Sequence, residues 1–387
     1  MKNNIAIIPL RKNSKGIINK NTNKIAGKPL YSWVLCSAIF SKLDAVFIYS
    51  DDKELLEFIE KEYYWSEKVK TRLRPDYTAT DEASTEIALI DFIENLNEDF
   101  QTLTLLQATS PLTTSFDIDN NLDMVNLKNY DSALSVVKTK RFLWDENGAA
   151  LNYDFNNRQR RQDFKGNFVE NGAIYTTTKK QFLNSKNRIG GNIGLTEMSE
   201  ETYYEIDSML DWRIVEQLLI SQLKSLKKNA KIKYLVLDVD GVFTDGSVYF
   251  NAEGESLKKF DMRDGMGLEI LRESGIKIIV MTSENSEIVA SRMKKLKINN
   301  LYLGVKDKFS LLKSIAISKQ EQFSSFAYVG DDINDLANLC SCGWGFAPSN
   351  ATEIAKSYAD IVLKNKSGDK SIREVTEFIE KYNRRYE

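Results

Sequence analysis

Short apolar runs alternate with amphipathic stretches along almost the whole chain. Ile5–Leu10, Ala45–Tyr49, Thr102–Gln107 and Ser132–Val137 are nearly unbroken in apolar character and read as buried strands. Helical spacing of apolar positions appears near 30–40, 52–63, 83–96 and 115–128. The alternation resumes with Tyr234–Leu237, Lys277–Met281 and Phe326–Val329. Strands separated by helices predict α/β folds with mostly parallel sheets, because parallel neighbours need a long crossover. Two stretches break the rhythm. Residues 141–165 are polar and rich in Asn, Arg and Gln, which predicts an excursion used in dimerisation or as a substrate lid. After a predicted helix over 208–226 comes Lys227-Lys228-Asn229-Ala230-Lys231, a charged, apolar-poor hinge. The expected domains are therefore 1–229 and 230–387. No internal repeat or low-complexity tract interrupts either.

Composition agrees with two ordinary globular domains. A chain of 387 residues exceeds what one core serves, and 42% hydrophobic with 28% charged residues is normal for soluble protein. A net charge of −2 offers no basic surface for a nucleic-acid backbone, and Lys227-Lys228 and Arg384-Arg385 read as solvated faces. No apolar run reaches the roughly 20 residues that cross a bilayer. The opening Met1-Lys2-Asn3-Asn4 leads into a run shorter than a signal-peptide core, so a cytoplasmic protein without membrane or nucleic-acid partners is expected. Of three cysteines, Cys36 lies in an apolar stretch, and Cys340-Ser341-Cys342 has neither a zinc spacing nor a second ligand pair. The sequence holds no histidine. Ser-His-Asp hydrolysis, Cys-His proteolysis and His-zinc chemistry are thereby excluded, leaving carboxylates, lysine, arginine, hydroxyls and bound metal.

The sharpest local signal is Tyr234-Leu235-Val236-Leu237-Asp238-Val239-Asp240-Gly241. A buried strand ends in two carboxylates two residues apart, at the end of a parallel sheet where ligands bind. One carboxylate can attack phosphorus while the other handles the leaving-group proton. Further parts follow in order. Lys277–Met281 ends in Thr282-Ser283, Lys308 opens a helical segment, and Phe326–Val329 ends in Gly330-Asp331-Asp332-Ile333-Asn334-Asp335, a cluster suited to magnesium. Each motif alone is often a turn or a solvated loop; four in order, each tied to a strand or helix, leave little room for chance.

These four motifs resemble those of the haloacid dehalogenase phosphatases over residues 233–387. The nearest likeness is to the small capless tetramers that act on 3-deoxy-manno-octulosonate 8-phosphate or deaminated neuraminic acid 9-phosphate. The resemblance rests also on Phe260-Asp261-Met262-Arg263-Asp264-Gly265. It implies Asp238 as nucleophile, Asp240 as general acid/base, and Asp238, Asp240, Asp331 and Asp335 around magnesium. Thr282 and Lys308 would clamp the phosphoryl group, and Arg263 would face the sugar. Ser283-Glu284-Asn285 departs from the commoner Gly-Arg, and only one glycine stands in Lys366–Lys370, which bears on substrate choice.

In the first half, Ile5–Leu10 runs into Arg11-Lys12-Asn13-Ser14-Lys15-Gly16, followed by Lys20-Asn21 and Ala26-Gly27-Lys28-Pro29-Leu30. A strand feeding a basic, Ser/Gly-containing loop suits a triphosphate, though such a loop is as often merely solvated. With Ser50-Asp51-Asp52, Leu73-Arg74-Pro75, Gln107-Ala108-Thr109-Ser110-Pro111-Leu112, Arg161-Gln162-Asp163-Phe164, Glu170-Asn171-Gly172 and Glu205-Ile206-Asp207, the chain resembles the acylneuraminate cytidylyltransferases from residue 5 to about 220. The finish through Asp211-Trp212 is similar to the animal enzymes, which also carry a phosphatase-like second domain.

That resemblance implies a nucleotide-diphospho-sugar-transferase-like, Rossmann-type mixed sheet ahead of the capless second domain. It implies CMP transfer from CTP to the anomeric hydroxyl of a sialic-acid-type nine-carbon keto acid, with release of pyrophosphate. Arg11 and Lys20 would hold the triphosphate with Ser14 and Asn21. Arg74, Gln107 and Asn171 would line the substrate pockets, Arg161 would pair with the sugar carboxylate, and Glu205 and Asp207, taken as two apart on a strand, would bind magnesium. Lys12-Asn13, Thr113 and Glu205 depart from the family pattern, which leaves room for legionaminic acid or deaminated neuraminic acid as the sugar. The expected whole is a homotetramer with magnesium in both domains: a cytidylyltransferase joined to a sugar-9-phosphate phosphatase. The alternative makes the second domain an assembly module only.

Overall fold

The computed structural model describes residues 4–12 and 16–386. It divides into two compact units. One is formed by Met1–Asn23 with Pro29–Val215, the other by Lys24–Lys28 with Glu216–Glu387.

The first unit is built on seven strands: β1 Asn4–Leu10, β2 Ala45–Ser50, β3 Val69–Leu73, β4 Thr102–Leu106, β5 Ser132–Thr139, β6 Asn167–Thr178 and β7 Ile193–Met198. They form one sheet in the order β3-β2-β1-β4-β6-β5-β7. Helices α1 Leu30–Ile39, α2 Lys53–Glu62 and α4 Ser115–Asn126 contribute to one buried cluster, and α3 Thr85–Glu94 to a second. The strand β1 shows why its sequence is apolar throughout. Ala6, Ile8 and Leu10 enter the first cluster while Ile5 and Ile7 enter the second, so neither face of the strand meets water. Helix starts are set by local chemistry. Asp52 and Ser84 accept backbone N–H groups at α2 and α3, and Thr114 with Asp117 forms a reciprocal capping box at α4.

Within this sheet β6 runs antiparallel to both β4 and β5, whereas β1, β2, β3 and β4 pair in parallel. The result is the expected mixed sheet. The excursion over 141–165 contains an aromatic cluster of its own: Phe142 lies 4.2 Å from Tyr153 and 5.0 Å from Phe164 between ring centres. The Arg158 guanidinium stacks 4.9 Å above Phe142.

In the second unit, β8 Tyr234–Leu237, β11 Lys277–Met281, β12 Asn300–Tyr302, β13 Phe326–Val329, β14 Trp344–Ala347 and β15 Ile361–Val362 form a fully parallel sheet in the order β12-β11-β8-β13-β14-β15. Helix α5, Met209–Ser225, leads into this unit. Between β8 and β11 stand only a hairpin, β9 Tyr249–Asn251 with β10 Gly254–Leu257, and helix α6 Met262–Glu273. No cap domain is inserted there. Helices α7 Glu287–Lys295, α8 Lys308–Ser318 and α10 Ser371–Asn383 cover the sheet with the short α9 Leu336–Ser341. Among the described residues no helix is long and apolar enough to cross a membrane.

Candidate active sites

In the second unit the site forms where β8 and β13, adjacent in the sheet, both end. Asp238 follows β8 directly, and its backbone N–H donates to the Val329 carbonyl at the end of β13. Its Oδ2 lies 2.7 Å from Lys308 Nζ, and Lys308 lies 2.8 Å from Asp335 Oδ1. Lys308 and Asp335 are almost completely buried, at 1% and 0% side-chain exposure. The lysine reaches this position because Asp307 caps α8 and so fixes where that helix begins. Asp335 is further held by the Tyr328 hydroxyl at 2.7 Å and the Asp331 N–H at 3.0 Å. Thr282, also buried, directly follows β11 and shares with Asp238, Asp240, Gly241, Asp331 and Asp335 the lining of a cleft of about 280 Å³.

Carboxylate oxygens of Asp238, Asp331 and Asp335 lie within 4.8 Å of one another. Three acids share one lysine, so the cluster carries more negative than positive charge. Burial, reinforced by Asp335 and Asp238, pushes the Asp331 carboxyl up to about 8. Burial likewise raises Asp238, against the pull of Lys308. Burial alone would lower Lys308, but Asp238 and Asp335 hold it firmly charged. An all-oxygen donor set with surplus negative charge fits a hard divalent cation and would be relieved by one. Gly241 makes the close packing possible. Its φ is +80°, and a Cβ there would sit 1.9 Å from Asp331 Oδ2. Asp240 stands apart from the cation cluster. Its Oδ1 lies 2.7 Å from Lys258 Nζ. Arg263 does not line the cleft; it is exposed and engaged by Asp261 at 2.6 Å and Asp369 at 3.2 Å.

In the first unit a cleft of about 250 Å³ opens at the C-terminal ends of β1 and β4 and is lined by Arg11, Lys20, Asn21, Arg74, Asp81, Gln107 and Thr109, among others. Arg11 Nη1 lies 3.2 Å from Asp81 Oδ1 and donates to the Thr80 carbonyl. Lys20 Nζ lies 3.2 Å from Asp207 Oδ1 and donates to the Ile206 carbonyl at 2.8 Å. Asn21 donates to the Arg11 carbonyl and so ties the two cationic stretches together. Arg74 is buried, with its guanidinium 5.9 Å above the Tyr49 ring and its Nε donating to Thr78. Burial lowers its pKa, with Asp51 opposing. Gly16 sits so close to the Asp207 carbonyl that a Cβ would come within 2.6 Å of its oxygen.

Five of the expected first-site residues thus converge on one cleft: Arg11, Lys20, Asn21, Arg74 and Gln107. Ser14 lies outside the described residues. Glu205 and Asp207 occupy an irregular segment rather than a strand. Glu205 accepts from the Thr109 hydroxyl at 2.8 Å, while Asp207 is largely exposed and pairs with Lys20. Among the described residues they join no third acidic ligand. Asn171 is interior, accepting from Ser135 and donating to Thr202, and does not line the cleft. Arg161 is exposed on the excursion, outside that lining. Sequence reasoning missed Tyr328, Thr109 and Lys258. Tyr328 is the one residue with a polar side chain in the four-residue strand β13, which was a usable signal; the others offered none.

Two family models match the chain: cytidylyltransferase over residues 5–238 and haloacid dehalogenase-like hydrolase over residues 219–375. The chain is 30% identical to an N-acylneuraminate cytidylyltransferase of Oncorhynchus mykiss, across 97% of this chain and 88% of the relative. It is 28% identical to N-acylneuraminate cytidylyltransferase A of Danio rerio over the same shares. Its second half is 34% identical to a 3-deoxy-D-manno-octulosonate 8-phosphate phosphatase of Haemophilus influenzae, across 40% of this chain and 85% of that protein. The chain therefore belongs to the cytidylyltransferase family, as a member that carries a haloacid dehalogenase-like hydrolase domain behind its nucleotidyltransferase domain.

Proposed function

We propose that the first unit transfers CMP from CTP to the anomeric hydroxyl of a nine-carbon keto acid, and that the second hydrolyses the 9-phosphate ester of such a sugar. The kinship to N-acylneuraminate cytidylyltransferases along 97% of the chain supports the first reaction. The transfer needs charge neutralisation and alignment more than a covalent catalyst. Two cations of the cleft, Arg11 and Lys20, are each now neutralised by an acid, Asp81 and Asp207, from which a triphosphate would draw it. Ser14 and Asn21 assist at the phosphates, Arg74 and Gln107 bound the nucleotide and sugar, and Arg161 reaches the sugar carboxylate from the excursion. Glu205 and Asp207 would hold a magnesium ion there, which supplies charge to the departing pyrophosphate. The sugar is a sialic acid or a relative such as legionaminic acid or deaminated neuraminic acid. CTP-dependent pyrophosphate release across a panel of nine-carbon keto acids tests this, and release with none of them rejects it.

The observation that carries the phosphatase reading is the buried Asp238–Lys308–Asp335 network beside Asp331. A domain kept only for assembly gains nothing from burying two acids against one lysine beside a third, since such clusters cost stability. Asp238 attacks phosphorus in line with the leaving oxygen. Lys308 and Thr282 hold the phosphoryl oxygens, and Asp240 gives a proton to the sugar alkoxide and later takes one from water. Asp238, Asp331 and Asp335 would hold magnesium, which supplies Lewis-acid charge at the phosphoryl group. Phosphate release from sugar 9-phosphates or 8-phosphates with magnesium present tests the reading; none from any of them makes the domain an assembly module.

A homotetramer built through the second unit is part of the same proposal. Tyr249, Phe250, Leu257, Met262 and Met266 are more than half exposed around the hairpin and α6, an apolar face suited to a second copy. A monomer by light scattering at micromolar concentration rejects it. Buried free thiols at Cys36, Cys340 and Cys342 are consistent with a reducing, cytoplasmic setting.

A further inference from the structure

Lys258 closes the hairpin β9–β10, beside Lys259, yet the two lysines have opposite surroundings. The Lys258 side chain is 2% exposed and that of Lys259 is 67% exposed. A buried ammonium costs several kcal/mol unless it is paired. Lys258 is paired twice, at 2.7 Å to Asp240 Oδ1 and at 2.9 Å to Glu255 Oε1. Glu255 in turn accepts at Oε2 from the Ser286 hydroxyl at 2.5 Å, and Ser286 is the N-cap of α7, the helix that follows Thr282. A single chain of polar contacts thus runs from Asp240 on the β8 loop, through the hairpin, to the β11 loop. Burial alone would drive the ammonium towards neutrality, but Asp240 and Glu255 outweigh it. Asp240 itself is left asymmetric. Its Oδ1 meets Lys258 and, at 3.5 Å, the Thr244 hydroxyl, whereas its Oδ2 is enclosed and has no hydrogen-bond partner.

We propose that Lys258 is a positioning residue for the phosphatase reaction, which locks Asp240 through Oδ1 and so fixes the carboxyl group that exchanges a proton with the leaving oxygen. The inference rests on Asp240 being the acid/base. An ammonium has three donors and no acceptor, so it cannot take up that proton; it fixes the carboxylate plane. Glu255 and Ser286 keep the lysine from following its partner. The proton balance is simple. As the P–O bond to the sugar breaks and the Asp238–P bond forms, the proton moves from the Asp240 carboxyl group to the departing oxygen. It is replaced from the water that later cleaves the aspartyl-phosphate.

The test compares wild type, Lys258→Met and Lys258→Arg in the full chain with magnesium. The reading is kcat/KM on 4-nitrophenyl phosphate, phenyl phosphate and an alkyl phosphate, whose leaving groups need progressively more help from an acid. General acid assistance contributes about 10²–10⁴-fold. Lys258→Met should therefore lose about 10²-fold on the alkyl ester but only a few-fold on the 4-nitrophenyl ester, and Lys258→Arg should recover much of the loss. Glu255→Gln, which loosens the lysine without removing it, should show the same graded pattern at smaller size. An equal loss on all three esters, or no loss, overturns the inference while leaving the phosphatase reading in place. A wild type inactive on all of them, and on sugar phosphates, overturns that reading and this inference with it.

Discussion

Both units put their chemistry at the C-terminal ends of a strand next to the middle of a sheet, but they assemble it differently. In the second unit Asp238, Lys308 and Asp335 sit between 0% and 11% side-chain exposure and already touch one another. In the first unit Arg11, Lys20 and their acid partners span from 14% to 76%, and come from separate loops. The difference fits what each proposed reaction asks. A covalent phosphoenzyme route needs a carboxylate held in line, which buried pairing provides at the cost of desolvation. Nucleotidyl transfer needs positive charge that can leave one acid and settle on a polyphosphate, so its groups stay exposed and lightly paired.

That contrast can be broken in steps of decreasing size. Asp207→Ala should lower CTP-dependent pyrophosphate release by about 10²-fold or more, as loss of a charge partner at the reacting phosphates does. Phosphate release should stay within about threefold, because separate cores respond independently. Gly241→Ala should lower phosphate release by about 10²-fold, because the added carbon would meet Asp331 Oδ2 at 1.9 Å, with unchanged pyrophosphate release. Gly16→Ala should be milder, about tenfold on kcat/KM for CTP, since only a loop must retreat from the Asp207 carbonyl.

The remaining expected effect is on stability. Burial pushes the Asp264 carboxyl up to about 6, although its Oδ1 accepts from the Arg373 N–H at the start of α10. A carboxyl raised in the folded state contributes stability that is present below the unfolded pKa of about 4 and lost as pH rises through 6. Asp264→Asn keeps the acceptor and does not titrate. Relative to wild type it should gain about 2 kcal/mol between pH 4 and pH 7, read as a Tm difference that grows with pH. A Tm difference constant across that range would contradict the burial account.

The apolar strands and the order of motifs could be read from the chain because both need side chains at fixed spacing. Ile5–Leu10 and Tyr234–Leu237 are buried on both faces, and such strands advertise themselves. Two of the strands that went unread have polar or partial burial. Val69–Leu73 is a half-exposed edge strand with charged residues, and Asn167–Thr178 buries Thr176 against Thr104 through a hydroxyl pair at 2.9 Å. Hydroxyls satisfied across strands look polar in a sequence and behave as core. The Glu205–Asp207 segment failed the other way: alternation of acid and apolar residue reads as a strand, but Ile206 is held by the Thr109 carbonyl outside any ladder. Lys258 was hidden because Lys258-Lys259 looks like any solvated pair; only the tertiary position of Asp240 and Glu255 distinguishes them.

The central claim is that one chain carries two catalysts with separate machinery, and Asp238→Asn tests it most directly. The substitution preserves shape, removes the attacking charge and leaves Lys308 paired to Asp335. Both activities are to be measured on the same purified preparation: phosphate release from a nine-carbon sugar 9-phosphate, and CTP-dependent pyrophosphate release with the free sugar. The account predicts loss of the first by at least about 10³-fold and retention of the second within about threefold. Phosphate release that survives in the variant, or pyrophosphate release that falls with it, would contradict the account.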